Sequence, residues 1–253
     1  MVKRNLYSVN MGFYNIVMTE KIRTRRAAPE PRKVQKKVAK KVAKKVGRTA
    51  TAPYHHGALH DALLQTAERL LECEGLAGLT LRAVAREAGV SHAAPTHHFG
   101  DLTGLVSELA AIGFRQFNAA MAAASASGDR LDSAVARAKA YVGYAQAHPG
   151  MYGLMFRTER LDMSRPSLHE AANVAFAELA GAVGAKRHEH IEAEALSLDQ
   201  AAAIVRAWSL VHGFTMLLLD DRLSDILRRL PKGTSIETLL DAMLKSTIIR
   251  PGT

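Results

Sequence analysis

From residue 54 onward apolar residues recur at three- and four-residue intervals, and no segment alternates like a half-buried strand for more than a few residues. The pattern predicts an all-α protein. Leu59, Leu63, Ala67 and Leu70 mark one face of a first helix that stops before Gly75. Thr80 caps a short second helix, Leu81 to Ala88, which Gly89 closes, and Ser91 caps a third that ends near Phe99. Asp101 opens a longer helix to about Ala126 and Asp129 another to about Ala147. Pro149 forces a break before MYGLMF (151–156), and Pro166 fits the first turn of a helix running to about Val183. Residues 185–196 form a polar connection. Ser197 with Gln200 is a capping-box pattern that opens a long helix to Asp220, and Thr234 with Glu237 opens a last one to about Ile249. The first of this pair is apolar on nearly every side, which predicts burial on more than one face. The second carries a narrower stripe of Ile236, Leu239, Leu240, Met243, Leu244 and Thr247. Together they predict a helix pair that meets its own copy in a dimer.

Charge changes the picture at the N-terminus. Residues 1–53 hold 15 Lys and Arg against Glu20 and Glu30, whereas the remaining 200 hold 19 basic and 22 acidic residues, for a net charge of +10. A basic tail on a slightly acidic body points to a polyanionic partner for the tail. Lys36, Lys37, Lys40, Lys41, Lys44 and Lys45 lie in KKVAKKVAKKV and are candidate phosphate contacts. The tail has three readings: nonspecific nucleic-acid contact, an anionic membrane surface, or a solubilising extension, with Met11 and Met18 as alternative starts. Cys73 is the one cysteine, so an intramolecular disulfide and a cysteine-built zinc site are excluded, and a reducing, cytoplasmic setting fits. The longest apolar stretch, 203–219, contains Arg206, Ser209, His212 and Thr215, too polar and too short to predict a membrane span; nucleic acid is the tail partner carried forward, and no membrane is expected as a partner.

The stretch LTLRAVAREAGVSHAAPTHHF (79–99) has the layout of a helix-turn-helix, two short helices across a glycine turn. In that arrangement the second helix enters the major groove and its N-terminal residues reach base edges. Ala85 and Val90 sit where the helices must approach closely. Spacing alone equally permits an ordinary pair of packed helices. Residues 55–110, above all AGLTLRAVAREAGVSHAAPTHHFGDLTGL, resemble the DNA-binding domain of the tetracycline-repressor-like (TetR) family of bacterial transcription regulators. HPGMYGLMF (148–156) and AWSLVHGF (207–214) are similar to the C-terminal domain of the subgroup marked by Trp and then His-Gly on its penultimate long helix. The resemblance covers about residues 55–250.

It implies an N-terminal helix-turn-helix three-helix domain at 54–105 and a helical ligand-binding and dimerisation domain at 106–250, and it leaves unexplained the tail at 1–53, whose composition reads as a disordered, basic, Lys-rich segment. It also implies a homodimer that binds a double-stranded DNA operator and is released by a small-molecule effector. Carried over by position, the groove-facing residues are Ser91, His92, Ala93, Pro95, Thr96, His97 and His98, with Thr80 and Arg82 near the phosphates. Two positions depart from the family. Thr96 stands where it usually has an aromatic hydroxyl, and Leu102 where it usually has a lysine that contacts phosphate. Residues 54–105 hold only Arg69, Arg82 and Arg86 against six carboxylates, so the lysines of the tail are expected to supply counterion release that this domain lacks.

Trp208 and His212 share one helix face, and Phe117, Met121, Tyr144, Met151, Met155 and Phe176 are expected to converge on them around an effector cavity. His188, His190, Glu192 and Glu194 are paired at helical spacing, but their polar setting reads as a solvated connection and no metal is expected. The sequence offers no phosphate loop and no nucleophile motif, so neither an enzyme nor a cofactor is predicted. The resulting expectation is a cytoplasmic, nucleoid-associated transcriptional regulator, a repressor relieved by an apolar or amphipathic ligand. The alternative is a nucleoid-associated DNA-coating protein dominated by its lysine-rich tail.

Overall fold

The computed structural model describes residues 56–125 and 130–248, which contain helices and turns and no strand. The tail lysines Lys36, Lys37, Lys40, Lys41, Lys44 and Lys45, and the cap expected at Asp129, lie outside the described residues. The first helix, α1 (His56–Gly78), turns its predicted stripe inward: Leu63, Ala67 and Leu70 are buried and Leu59 packs beside them. Its regular part ends at Gly75, where the backbone takes φ 68°, and one more turn follows.

The Thr80 hydroxyl accepts the Ala83 N–H at 3.1 Å and starts α2 (Leu81–Glu87). Gly89, at φ 66°, turns the chain into α3 (Ala93–Phe99), a conformation that a Cβ disfavours. Ala85 is fully buried, and its carbonyl accepts the Val90 N–H at 3.0 Å, which closes the turn between the two helices. The cap of α3 differs from the expectation by one residue. His92 already has helical dihedrals, while Ser91 accepts the Ala93 N–H at 3.3 Å from outside the helix.

The central element is α4 (Leu102–Ser125), opened by the Asp101 carboxylate on the Gly104 N–H at 2.7 Å. Around it pack α5 (Arg130–Ala147), α6 (Pro149–Met155) and, after a 3-10 turn at Thr158–Arg160, α7 (Pro166–Arg187). One continuous core joins Leu63, Leu79 and Phe99 of the segment from α1 to α3 to Leu105, Phe117, Tyr152 and Leu168 of the helices that follow. Pro149 starts α6, because its missing N–H is no loss in a first helical turn. α7 runs to Arg187, beyond the expected Val183, and His188 ends it in the left-handed conformation at φ 58°.

The long helix α8 (Leu198–Leu219) has both arms of the Ser197–Gln200 capping box. A single turn, α9 (Ser224–Leu227), which no spacing signal marks, follows it, and α10 (Ile236–Ile248) closes the described chain. The expected Thr234 cap is corrected to Ser235, whose hydroxyl accepts the Thr238 N–H at 3.1 Å; Thr234 instead donates to the Pro231 carbonyl. The stripe of α10 faces inward too. Leu240 and Leu244 are buried with Ala138, Val142 and Phe214 within one chain. α8 is long and apolar enough to cross a membrane by length and composition, yet it packs against α5 and α7. Burial on several faces does not hold within one chain, because Val205, Met216 and Leu217 stay exposed. Cys73 is exposed as well.

Candidate functional site

On the outer side of α3, Ser91, His92, Ala93, Thr96 and His97 are exposed in one patch, and Thr80 and Arg82 are exposed at the start of α2. Pro95 leaves the groove-facing set. It lies four residues before Phe99 on the same inward face, and both are buried. His98 is half-buried, its ring 5.8 Å from that of His60 and 6.1 Å from that of Phe99, so it sits at the edge of the patch. Leu102, the first residue of the next helix, is 36% exposed.

The helix α3 is fastened from behind. Arg165, just before α7, donates to the Phe99 carbonyl at 3.2 Å and pairs with Glu108 of α4 at 3.0 Å. The other oxygen of Glu108 lies 2.9 Å from Nε2 of His60. A second joint links α1 to α6: the Glu72 carboxylate accepts the Gly150 and Met151 N–H groups, each at 2.9 Å. Gly150 permits this approach, since a Cβ there would stand 2.7 Å from the Leu71 carbonyl oxygen. Of the six carboxylates counted against the head, Glu72 is thus committed to α6 rather than facing outward.

A cavity of about 740 Å³ lies among α4, α5, α7 and α8. Phe117, Met121, Phe176 and Trp208 line it, and Phe114, Tyr141 and Phe156 add aromatic wall. Tyr144, Met151, Met155 and His212 do not line it. Met151 and Met155 are buried where α6 crosses α4 at Gly113, and Tyr144 is held behind the wall by its hydroxyl, which donates to the Gly113 carbonyl at 3.1 Å.

His212 stands in a polar triangle behind the same wall. Its Nδ1 lies 2.9 Å from the Tyr141 hydroxyl and 2.8 Å from the Tyr152 hydroxyl, and the hydroxyls are 3.1 Å apart. One tyrosine therefore donates to the ring nitrogen and the other to its neighbour's oxygen, which satisfies a polar set in an apolar surrounding. Burial lowers the His212 pKa and keeps the ring neutral. Burial likewise pushes the Tyr141 pKa up to about 12, against the opposing hydrogen bonds from Tyr152 and Trp208, and raises those of Tyr144 and Tyr152 further.

Tyr141 was missed as a wall residue, although Ala134, Arg137, Ala138 and Tyr141 repeat at helical spacing and all line the cavity. In the connection after α7, His190 meets Glu192 at 3.0 Å in the open, and no group of three metal-ligating residues occurs among the described residues.

The profile of the tetR family of bacterial regulatory proteins matches residues 63–109, and that of the tetracyclin repressor-like C-terminal domain matches residues 134–244. A protein of unknown function from Rhodococcus sp. RHA1 is 31% identical with a TM-score of 0.62, over 78% of this chain and 96% of that one. A tetR family transcription regulator from Shewanella sp. PV-4 has a TM-score of 0.53 at 20% identity, over 74% and 96% of the two chains. A TetR family transcriptional regulator from Thermus thermophilus has a TM-score of 0.50 at 17% identity, over 72% and 94%. Identities as low as these last two establish a shared fold. No curated protein matches the chain. These similarities lend no support to a DNA-coating protein.

Proposed function

Since the chain belongs to the tetR family of bacterial regulatory proteins, and so is a DNA-binding transcription regulator, we propose that it acts as a homodimeric repressor released by a small apolar or amphipathic molecule. The observation that carries this reading is the pairing, on one core, of an outward patch on α3 with an aromatic cavity of about 740 Å³ in the helical body. That volume falls in the usual range for small-molecule sites. In this reading Ser91, His92, Ala93, Thr96 and His97 meet base edges, Thr80 and Arg82 meet phosphates, and the lysines of the tail add backbone affinity. Phe117, Met121, Phe176 and Trp208 contact the effector. The reading unit is 54–105 and the effector unit 106–250, a boundary that falls inside α4.

The outward stripe of α8 supports the dimer. Val205 and Met216 are 49% and 39% exposed on one face of the helix, which also carries the small Ala202 outward, a surface suited to close approach by its own copy. Two reading heads about 34 to 36 Å apart then match successive major grooves. An effector releases the operator only if it binds a second spacing of the heads more tightly than the first.

Footprinting in excess competitor DNA tests the proposal together with sedimentation. The wild-type protein is expected to be a dimer that protects one short palindrome, and Val205→Glu with Met216→Glu a helical monomer that protects none. Protection without sequence preference, or a wild-type monomer that still protects a palindrome at micromolar concentration, overturns it.

A further inference from the structure

The cavity that we read as the effector site has an uneven charge. Arg137, Lys186, Arg187 and Arg206 contribute to its lining against a single carboxylate, Glu178. Two of these cations are already engaged. Arg137 donates to the Ser125 hydroxyl at 2.8 Å and pairs with Glu178 at 3.4 Å, and Arg187 pairs with Glu189 and Asp199. Lys186 and Arg206 have no carboxylate within 4.0 Å among the described residues. Both line the cavity and are exposed to solvent, which puts them at its mouth.

The interior is the reverse. Its aromatic rings come from Phe114, Phe117, Tyr141, Phe156, Phe176 and Trp208. The polar atoms behind them are turned to protein partners: the Tyr141 hydroxyl to Tyr152 and His212, and the Asn118 amide to the Ala171 carbonyl at 3.2 Å. A ligand body that carried its own hydrogen-bonding groups would be desolvated there without recompense.

We infer that the effector is an amphipathic organic anion, with an apolar chain or ring system against the aromatic walls and a carboxylate facing Lys186 and Arg206 at the mouth. This rests on the reading of the cavity as the effector site. The competing ligand is an amphipathic cation held over the aromatic faces. Its charge would meet Lys186 and Arg206 at the mouth, while Glu178, the carboxylate of the lining, is already paired with Arg137.

Dodecanoate, dodecanol and dodecylammonium, each below micelle formation, are titrated into the full chain while the emission of Trp208, its one tryptophan, is followed. Dodecanoate is expected to bind roughly five- to tenfold tighter than the other two, as two exposed charge contacts allow. Lys186→Gln with Arg206→Gln is expected to erase that advantage and leave dodecanol binding unchanged. The basic tail is intact in both proteins, so general attraction of anions cannot produce the difference. Dodecylammonium binding as tightly as dodecanoate, or an advantage that survives in the double variant, overturns the anion inference while the effector reading stands. Failure of all three probes to perturb Trp208 overturns both.

Discussion

Replacing Glu72 by Ala removes the acceptor for two backbone N–H groups at once. Gly150 and Met151 occupy the first turn of α6, where no intrahelical carbonyl can reach them, and Pro149 before them has no N–H to offer. Hydrogen bonds to a charged acceptor contribute about 1.5 to 3 kcal/mol each, and loss of a helix cap costs about 0.5 to 2 kcal/mol. Glu72 is half-buried, so water can partly replace the carboxylate, and the two contacts together should contribute about 2 to 3 kcal/mol. At roughly 2 to 4 °C per kcal/mol for a chain of this size, the melting temperature should fall by about 4 to 12 °C. Glu72→Gln keeps one amide oxygen as an acceptor and should lose about half as much. Circular dichroism melts at a fixed protein concentration measure this, since the midpoint of a dimer depends on concentration. A Glu72→Ala protein melting within about 1 °C of wild type would refute the assignment of the joint between α1 and α6 to this side chain.

Removal of residues 1–48 should weaken binding to every DNA sequence and, if five lysines contact phosphate, reduce the slope of log K against log salt by roughly 4 to 5, with the preferred site unchanged; an unchanged slope rejects a DNA role for the tail. Leu102→Lys should tighten operator binding by about 1 kcal/mol at low salt, read by fluorescence anisotropy, and weaker binding by a folded variant would reject a phosphate next to this position. His212→Asn tests the polar triangle through pH. Burial holds the His212 pKa below its ordinary value of about 6.5, so the unfolded chain binds more protons in that window and stability is lost as pH falls through it. The stability advantage of wild type over the variant should therefore shrink between about pH 7 and pH 5, and a constant difference in melting temperature contradicts a neutral His212.

Local signals in the sequence were dependable where one residue decided the outcome. Thr80, Gly89 and the Ser197–Gln200 box act within three or four residues of chain, and each sits in the role its spacing predicts. Where two adjacent residues could do the same work, spacing did not choose. Thr234 and Ser235 both precede Glu237 closely enough to cap, and the geometry of the turn after Pro231 selects Ser235. The cavity was harder to read, because an apolar residue on a helix faces either a neighbour or a void, and period alone does not separate the two. Met151 and Trp208 are both apolar in sequence; Met151 closes on Gly113, a contact set by how near α6 comes to α4, whereas Trp208 is left at the wall. Pro95 failed for a related reason. Its position in the second helix suited the groove, but its face, shared with Phe99, is settled by the packing of α3 onto the core.

The Phe99 carbonyl, near the end of α3, accepts a hydrogen bond from a residue 66 positions further along the chain. A helix end without such a partner leaves carbonyls unsatisfied. Anyone who transplants this reading head onto another body, or exchanges it for a foreign one, would therefore sever more than a linker. A cut within α4 strands Arg165 without its carbonyl and Glu72 without its amides, and it splits a core that runs from Leu63 to Leu168. A chimera that keeps its DNA preference has to carry those partners across the junction, and the seam must be drawn around side chains rather than at a residue number.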